Sequence, residues 1–141
     1  MTERGLLDCM CFNSRSTARA VTKFYDRALE PVSLRITQFA ILSFVLEAGS
    51  PTMQQLAARL NLDPSTMTRT LDPLVSAGYL RVEPGEDRRQ REVVLTAKGH
   101  RTHRRAGLLW LAAQDELREK LGASRFSRVI ADMNALMDAV A

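Results

Sequence analysis

The sequence predicts a mainly α-helical protein that contains one small β-hairpin. Apolar residues recur every three to four positions over most of the chain, which is the spacing of an amphipathic helix. Between Tyr79 and Leu95 the period changes to about two, which is typical of strands. Helix-start and helix-stop residues are dense between Gly49 and Gly78, so two short helices are expected there. The 141 residues, 45% of them hydrophobic, suit one globular domain.

The first two predicted helices carry apolar stripes at helical spacing. One covers residues 9–29 and ends at Pro31, because proline does not continue a helix. The other covers residues 36–48 and stops at Gly49, a residue that commonly terminates helices. Both are expected to pack their apolar faces against the rest of the domain.

The next two helices are short and are marked by their caps. Thr52 and Gln55 form a capping box, in which each side chain bonds the backbone of the other, and this opens a third helix. Residues 61–62 make a turn. Asp63 is then an N-cap and Pro64 takes the first helical position, where a missing N–H has no consequence. Two short helices joined by a tight turn predict a helix-turn-helix.

A β-hairpin is predicted directly after the fourth helix, which is expected to run to about Ala77 and to close at Gly78. Alternating apolar residues predict strands over 79–83 and 92–95, separated by a turn and an arginine-rich stretch. A hairpin in this position is a wing. The centre of the chain is therefore predicted to be a winged helix-turn-helix.

Two helices complete the chain, and they predict a dimer. Thr96 caps a long helix to about residue 121, and a last helix follows after a short break. Its apolar stripe is wider than one small core can cover, which favours a homodimer. Within a single domain, residues 1–32 and 100–141 are assigned to dimerisation helices and residues 33–99 to the winged helix-turn-helix.

Positive charge is concentrated in one segment. The net charge is +4, but residues 88–105 hold seven arginines and lysines against a single acid, Glu92. A basic segment on a nearly neutral body is typical of a protein that binds a polyanion. The chain has no glycine-rich phosphate loop or nucleophile motif, so an enzyme is not predicted. His100 and His103 lack a further ligand at a familiar metal-site spacing, so they are interpreted as solvated residues beside a phosphate backbone, and no metal or cofactor is predicted.

The fourth helix carries the predicted DNA contacts. With Met67 facing inward beside Leu71, Leu74 and Val75, its outer face shows small hydroxyl groups and one arginine. Arginine can bond guanine bidentately, while serine and threonine reach bases or phosphates. Pro73 is expected to loosen the last turn, so the first half of the helix should read the DNA. The predicted contacts are Ser65, Thr66, Thr68 and Arg69 in this helix and Arg88 and Arg89 in the wing, with Arg89 ahead of Arg88.

These residues stand in an order that resembles the MarR family of winged-helix regulators. The resemblance rests on the run from Leu62 to Asp72, on Asp87-Arg88-Arg89, and on the Leu95-Thr96 pair followed by Gly99. It implies an obligate homodimer, with intertwined terminal helices, that binds a pseudo-palindromic site in double-stranded DNA near the promoter it controls. It also implies that Asp87 orients the wing arginine. The absence of a signal peptide or membrane span predicts a cytoplasmic protein with no membrane partner.

The effector is left open by the sequence. Members of the family release DNA when a small ligand binds between the dimerisation and DNA-binding regions, or when a cysteine is oxidised. The segment 10–25 is similar to the first helix of the organic-hydroperoxide-sensing (OhrR-type) branch, which implies that Cys11 is its reactive cysteine and Tyr25 a tyrosine that bonds it. Arg15, four residues after Cys11, adds a cation near the thiol. Arg15 and Ile36 stand where that branch carries other tyrosines.

Three interpretations of regulation therefore stay open: redox sensing at Cys11, a small aromatic ligand, or no effector. One different function also stays open, namely a protein-interaction module that kept the fold without specific DNA binding. Such a module predicts a wing depleted of basic residues. The arginines of this wing favour DNA binding instead.

Overall fold

A computed structural model describes residues 5–141, which form six α-helices and one two-stranded antiparallel sheet. Short 3-10 turns precede and follow the first helix. The predicted fold class, mainly α-helical with a small hairpin, is confirmed. In chain order the elements are α1 (Met10–Leu29), α2 (Ile36–Ala48), α3 (Met53–Leu60), α4 (Pro64–Ser76), β1 (Leu80–Pro84), β2 (Arg91–Leu95), α5 (Ala97–Leu121) and α6 (Ala123–Val140).

Several predicted boundaries shift by one or two residues. Cys9 lies outside α1 as its extended cap residue, and the break before α6 is Gly122 alone, with a φ of +83°. β1 begins and ends one residue later than predicted, and β2 begins one residue earlier. Pro73 does not loosen the end of α4, which stays helical to Ser76 because the Ala77 N–H bonds the Pro73 carbonyl at 3.0 Å.

The caps of the helix-turn-helix form as predicted. The Thr52 hydroxyl accepts from the Gln55 N–H at 3.1 Å, and the Gln55 side chain accepts from the Thr52 N–H at 3.0 Å. Asn61 ends α3 in the left-handed conformation, with a φ of +54°. Asp63 caps α4 by accepting from the Thr66 N–H at 2.9 Å. These local bonds fix the angle at which α4 leaves the turn.

The core lies between the helix-turn-helix, the hairpin and the start of α5. Met67 is 1% exposed, and Leu71 and Leu74 are buried beside it as predicted. Val75 was also expected to face inward, and that is wrong, because it is 37% exposed. Eight residues after Met67 it lies about 80° around the helix from that residue, at the edge of the buried stripe. The fully buried side chains also include Leu29, Ile41, Leu42, Val45, Leu56 and Val93.

The wing is bonded to its neighbours on two sides. The Val93 N–H donates to the Pro51 carbonyl at 2.8 Å, which holds β2 against the segment before α3. On the other side the Thr96 hydroxyl donates to the Gly78 carbonyl at 2.5 Å and accepts from the Gly99 N–H at 3.0 Å. The helix-turn-helix, the hairpin and the start of α5 therefore move together.

The opposite end of the molecule is built by α1 and α5. The Tyr25 hydroxyl donates to the side-chain oxygen of Gln114 across these two helices. Burial raises the pKa of Tyr25, and the nearby positive charge of Arg118 acts in the opposite direction. Asp26 accepts from the Ile36 N–H at 2.8 Å, which joins α1 to the start of α2.

Candidate DNA interface

The first half of α4 presents its polar side chains to solvent. Ser65, Thr68 and Arg69 are exposed and Thr66 is half-buried. Ser65 and Arg69 lie on the side of the helix opposite the buried Met67, and Thr66 and Thr68 flank them. The structure thus places all four predicted contact residues on one outer surface, at the N-terminal end of the helix. Small side chains here let the helix backbone approach a groove closely, as major-groove entry requires.

Asp63 organises the beginning of this surface. Its carboxylate accepts from the Ser65 hydroxyl at 2.7 Å, from the Thr66 hydroxyl at 2.8 Å and from the Thr66 N–H at 2.9 Å. The backbone N–H bond and these two hydroxyl bonds lower the pKa of Asp63 to about 2. The sequence identified Asp63 as a helix cap, but it gave no signal that the same carboxylate holds both neighbouring hydroxyl groups.

Arg69 is the basic side chain of this surface. Its guanidinium lies 3.5 Å from the Thr66 hydroxyl oxygen, at the limit of a hydrogen bond, and the side chain is exposed. Among residues 5–141 no carboxylate forms an ion pair with Arg69. Its donor groups are therefore available to an external acceptor.

The wing tip exposes Arg88 and Arg89 beside this helix. Asp87 accepts from the Arg89 backbone N–H at 3.1 Å, and the Asp87 carbonyl accepts from the Gln90 N–H at 2.8 Å. Asp87 thus contacts the backbone of Arg89, so any influence on the arginine acts through the shape of the turn. Arg89 and Thr68 line one groove of about 600 Å³ between the wing and the helix-turn-helix.

The predicted redox residues are not brought together within one protomer. Cys11 is exposed in the first turn of α1, and Arg15 is exposed one turn later. Tyr25 lies fourteen residues after Cys11, about 21 Å along the same helix. Its hydroxyl is bonded to Gln114. A contact between Tyr25 and Cys11 would have to come from two different chains.

His103 was interpreted as a solvated residue, and that is wrong. Its Nε2 lies 2.9 Å from the Ser43 hydroxyl, and its ring stacks on Phe39 with the centroids 5.1 Å apart. Because the Ser43 hydroxyl donates to the Phe39 carbonyl at 2.9 Å, it accepts from the His103 Nε2–H. Burial, and then the charge of His100, lowers the pKa of His103, while Glu47 acts in the opposite direction.

These side chains line a cavity of about 550 Å³ between α2 and α5. Its size and its mainly apolar lining are those of a small-molecule site. The histidine was visible in the sequence, but its partners on α2 are about sixty residues away, and nothing in the local pattern indicated them. The lining includes Phe39, Ser43, Leu46, His103, Leu108 and Trp110.

One side of α6 is apolar and exposed. Met133 is 46% exposed and Met137 is 59% exposed, in line with Val129, Ile130 and Val140. Leu6, Leu7 and Met10 expose further apolar surface near the start of the chain. Within residues 5–141, no individual helix combines the length and apolarity of a membrane span, although α1 and α2 pass that test as a pair bent by 73°.

Comparisons with known proteins identify the fold and the family. Residues 34–90 match the model of the MarR family. The chain is 30% identical over 101 residues to the HTH-type transcriptional regulator YwoH of Bacillus subtilis, an alignment that covers 72% of this chain and 74% of YwoH. It is 36% identical to the M. tuberculosis transcriptional regulator MosR solved in complex with DNA, with a TM-score of 0.84 over 94% of this chain and 96% of MosR. A mutant MarR from E. coli solved with operator DNA is 26% identical, with a TM-score of 0.77 over 89% of each chain.

Proposed function

The chain belongs to the MarR family of transcriptional regulators, and we propose that it is a homodimeric, sequence-specific DNA-binding repressor of the cytoplasm. The observation that carries this proposal is the outer surface of α4, where exposed hydroxyl groups and Arg69 stand beside the arginines of the wing. The relatives are regulators rather than enzymes, and MosR, at 36% identity, was solved with DNA.

In this proposal α4 enters the major groove and the wing follows the neighbouring backbone. Arg69 bonds the O6 and N7 atoms of a guanine, while Arg89 enters the minor groove or pairs with flanking phosphates. Arg88 supplies a second phosphate contact. Thr96, between the wing and α5, bonds the carbonyls of Gly78 and Tyr79, and the Tyr79 N–H bonds the Leu74 carbonyl of α4. Because these bonds join the wing, α4 and the start of α5, the spacing of α4 and the wing is fixed before DNA is bound.

Binding to DNA from upstream of the protein's own gene tests this directly. Fluorescence anisotropy should show binding that weakens steeply with salt. Arg69→Ala should cost about 1–3 kcal/mol and relax sequence preference, whereas Arg89→Ala should weaken binding to all sequences and reduce the salt slope by about one. Arg125→Ala, checked by sedimentation to remain a dimer, is the matched control, because Arg125 is an exposed arginine on α6, outside the proposed DNA-binding region 33–99. If the parent binds no sequence in preference to random DNA, the protein-interaction alternative replaces this proposal.

The apolar side of α6 supports the homodimer. Together with the apolar residues before α1, it exposes more large apolar side chains than a stable monomer normally leaves in water. In this arrangement the terminal helices, 1–32 and 100–141, join two copies, and the region 33–99 of each copy contacts one half of a pseudo-palindromic site. Sedimentation equilibrium should give twice the 15.8 kDa chain mass. A monomer at concentrations that bind DNA would contradict the proposal.

Two observations support two different effectors. Cys11 is exposed in the first turn of α1, where a hydroperoxide can reach its thiol, and Arg15 lies one turn away. One equivalent of an organic hydroperoxide should then release DNA, a thiol should restore binding, and Cys11→Ser should not respond. An unchanged response of Cys11→Ser would exclude this thiol as the sensor.

The cavity between α2 and α5 supports a small aromatic ligand instead. Trp110 lines this cavity and is the single tryptophan of the chain, so its fluorescence reports on occupancy. Benzoate serves as the probe and should both quench Trp110 and weaken DNA binding, whereas Ser43→Ala should alter the quenching. A protein that ignores both benzoate and hydroperoxide would favour regulation without either effector.

A further inference from the structure

The hydroxyl groups at the start of α4 have a fixed hydrogen-bonding direction. The Ser65 and Thr66 hydroxyls lie 2.7 Å and 2.8 Å from oxygens of the Asp63 carboxylate. With a pKa of about 2, that carboxylate carries no proton under conditions in which proteins bind DNA. An ionised carboxylate only accepts hydrogen bonds, so each hydroxyl must donate its single proton to Asp63. What each oxygen can offer to an outside molecule is a lone pair.

The hydroxyl protons further along α4 are also used inside the helix. Thr68 donates to the Pro64 carbonyl at 3.1 Å, and Thr70 donates to the Thr66 carbonyl at 2.6 Å. Carbonyl oxygens likewise only accept, so these directions are fixed by chemistry. Among these side chains, the Arg69 guanidinium then supplies the outward-facing donors. It also donates weakly to the Thr66 hydroxyl oxygen at 3.5 Å, so that oxygen acts as an acceptor here.

Base pairs present both donors and acceptors in the major groove, and this fixed direction distinguishes them. The donors are the N6 amino group of adenine and the N4 amino group of cytosine, whereas guanine O6 and N7 and thymine O4 accept. Phosphate oxygens also accept only. A serine or threonine whose proton is free could bond any of these groups. One whose proton is held can bond only an amino group.

From this pattern we infer that Asp63 is a specificity-determining residue: it holds Ser65 and Thr66 as acceptors, so that the start of α4 selects the amino groups of adenine or cytosine. The inference rests on the proposed function, in which α4 enters the major groove. Asp63 touches no base in this account and acts by positioning two hydroxyl groups that do. A half-site is then expected to place adenine or cytosine amino groups opposite these hydroxyls, next to the guanine that Arg69 contacts.

Asp63→Asn reverses the direction of one of these bonds with little change in shape. Asparagine is as good an N-cap as aspartate, so its side-chain oxygen still accepts from the Thr66 N–H. Its amide nitrogen is a donor, and the hydroxyl that it bonds must turn its own proton outward. That hydroxyl can then donate to guanine, thymine or phosphate oxygens. Asp72→Asn is the matched control, because Asp72 is exposed on the same helix and, in the described part of the chain, accepts no side-chain hydrogen bond.

The test is selection of bound duplexes from a randomised library by the parent, by Asp63→Asn and by Asp72→Asn. Ser65→Ala and Thr66→Val locate the base pairs that the two hydroxyls read. At those pairs the parent should prefer an adenine or cytosine on the strand that faces the helix. Replacing that base by its analogue without the exocyclic amino group should weaken parent binding about three- to tenfold, the usual worth of one hydrogen bond. At the pair that Thr66 reads, the same replacement should leave Asp63→Asn nearly unaffected, because the amide nitrogen replaces the oxygen that bonds the Thr66 hydroxyl. At the pair that Ser65 reads, the replacement should weaken Asp63→Asn as it weakens the parent, and Asp72→Asn should behave as the parent does at both pairs.

The outcomes separate this inference from the function on which it rests. A parent that selects no sequence overturns the proposed function, and the inference with it. A parent that selects a sequence which Asp63→Asn selects with equal discrimination overturns the inference alone. Preference of the parent for guanine or thymine opposite Ser65 and Thr66 also overturns it, because those bases present only acceptors to the helix.

Discussion

Replacing Gly99 with alanine tests the packing that holds the wing against α5. A Cβ atom at this position would lie 2.2 Å from the Tyr79 carbonyl oxygen and 2.7 Å from a methyl carbon of Leu95. Ordinary contacts begin near 3.4 Å, so the backbone of Tyr79 must move by about 1 Å or more. Crowding of this kind costs about 1–3 kcal/mol, against a helix-propensity gain of at most about 1 kcal/mol for glycine to alanine. We therefore expect Gly99→Ala to lower the free energy of unfolding by up to about 2 kcal/mol.

Gly107→Ala is the matched control in the same helix. A Cβ atom there meets nothing within 4 Å, so the propensity gain should appear undiminished, as a stabilisation of up to about 1 kcal/mol. Urea unfolding at one fixed protein concentration measures both variants, because association would otherwise shift the midpoint. If Gly99→Ala is as stable as Gly107→Ala, the close contact with Tyr79 is not a constraint and the reasoning fails.

Three further predictions concern hydrogen bonds and titration. Tyr25→Phe should lower the free energy of unfolding by about 1 kcal/mol, because Gln114 loses its partner; no loss in urea unfolding would show the bond to be unimportant. Since the pKa of His103 is lowered in the fold, stability should fall as pH drops below 6.5, and His103→Asn should remove that dependence, which thermal melts across this range would measure. The pKa of Asp63 is about 2 in the folded protein against 3.8 in the unfolded chain, so its contribution to stability is complete above pH 3.8 and is lost as the pH falls towards 2. The free energy of unfolding of Asp63→Asn should therefore depend less steeply on pH in this range, and a pH dependence identical to that of the parent would contradict the assigned bonds.

The parts of the fold that the sequence predicted best are those fixed by neighbouring residues. The caps at Thr52 and Asp63 use partners three residues away, so their bonds follow from local spacing alone. The hairpin was predicted from the change of period after Gly78, and its strands differ from the predicted limits by one residue. The four contact residues of α4 lie on the outer surface because the position of Met67 fixes every other position around the helix.

The errors come from contacts between residues distant in sequence. His103 is half-buried against Phe39 and Ser43, which belong to a helix about sixty residues earlier, and its own helix gives no sign of them. Val75 fits the apolar period but lies at the edge of the stripe, where packing against other elements decides its exposure. The hydrogen-bond direction of the Ser65 and Thr66 hydroxyls was also not predicted from the sequence, since it depends on where the two carboxylate oxygens of Asp63 point.

The proposed function depends most on Arg69, which is expected to read a guanine in the major groove. Methylation of guanine N7 blocks the acceptor that a bidentate arginine uses, so an interference experiment with dimethyl sulfate examines this contact base by base. For the parent we expect interference at guanines in two half-sites about one helical turn apart, one for each chain of the dimer. Arg69→Ala should lose that interference and keep the remaining pattern. An interference pattern that is the same for Arg69→Ala and the parent, or one with no guanine in the major groove, would contradict the claim.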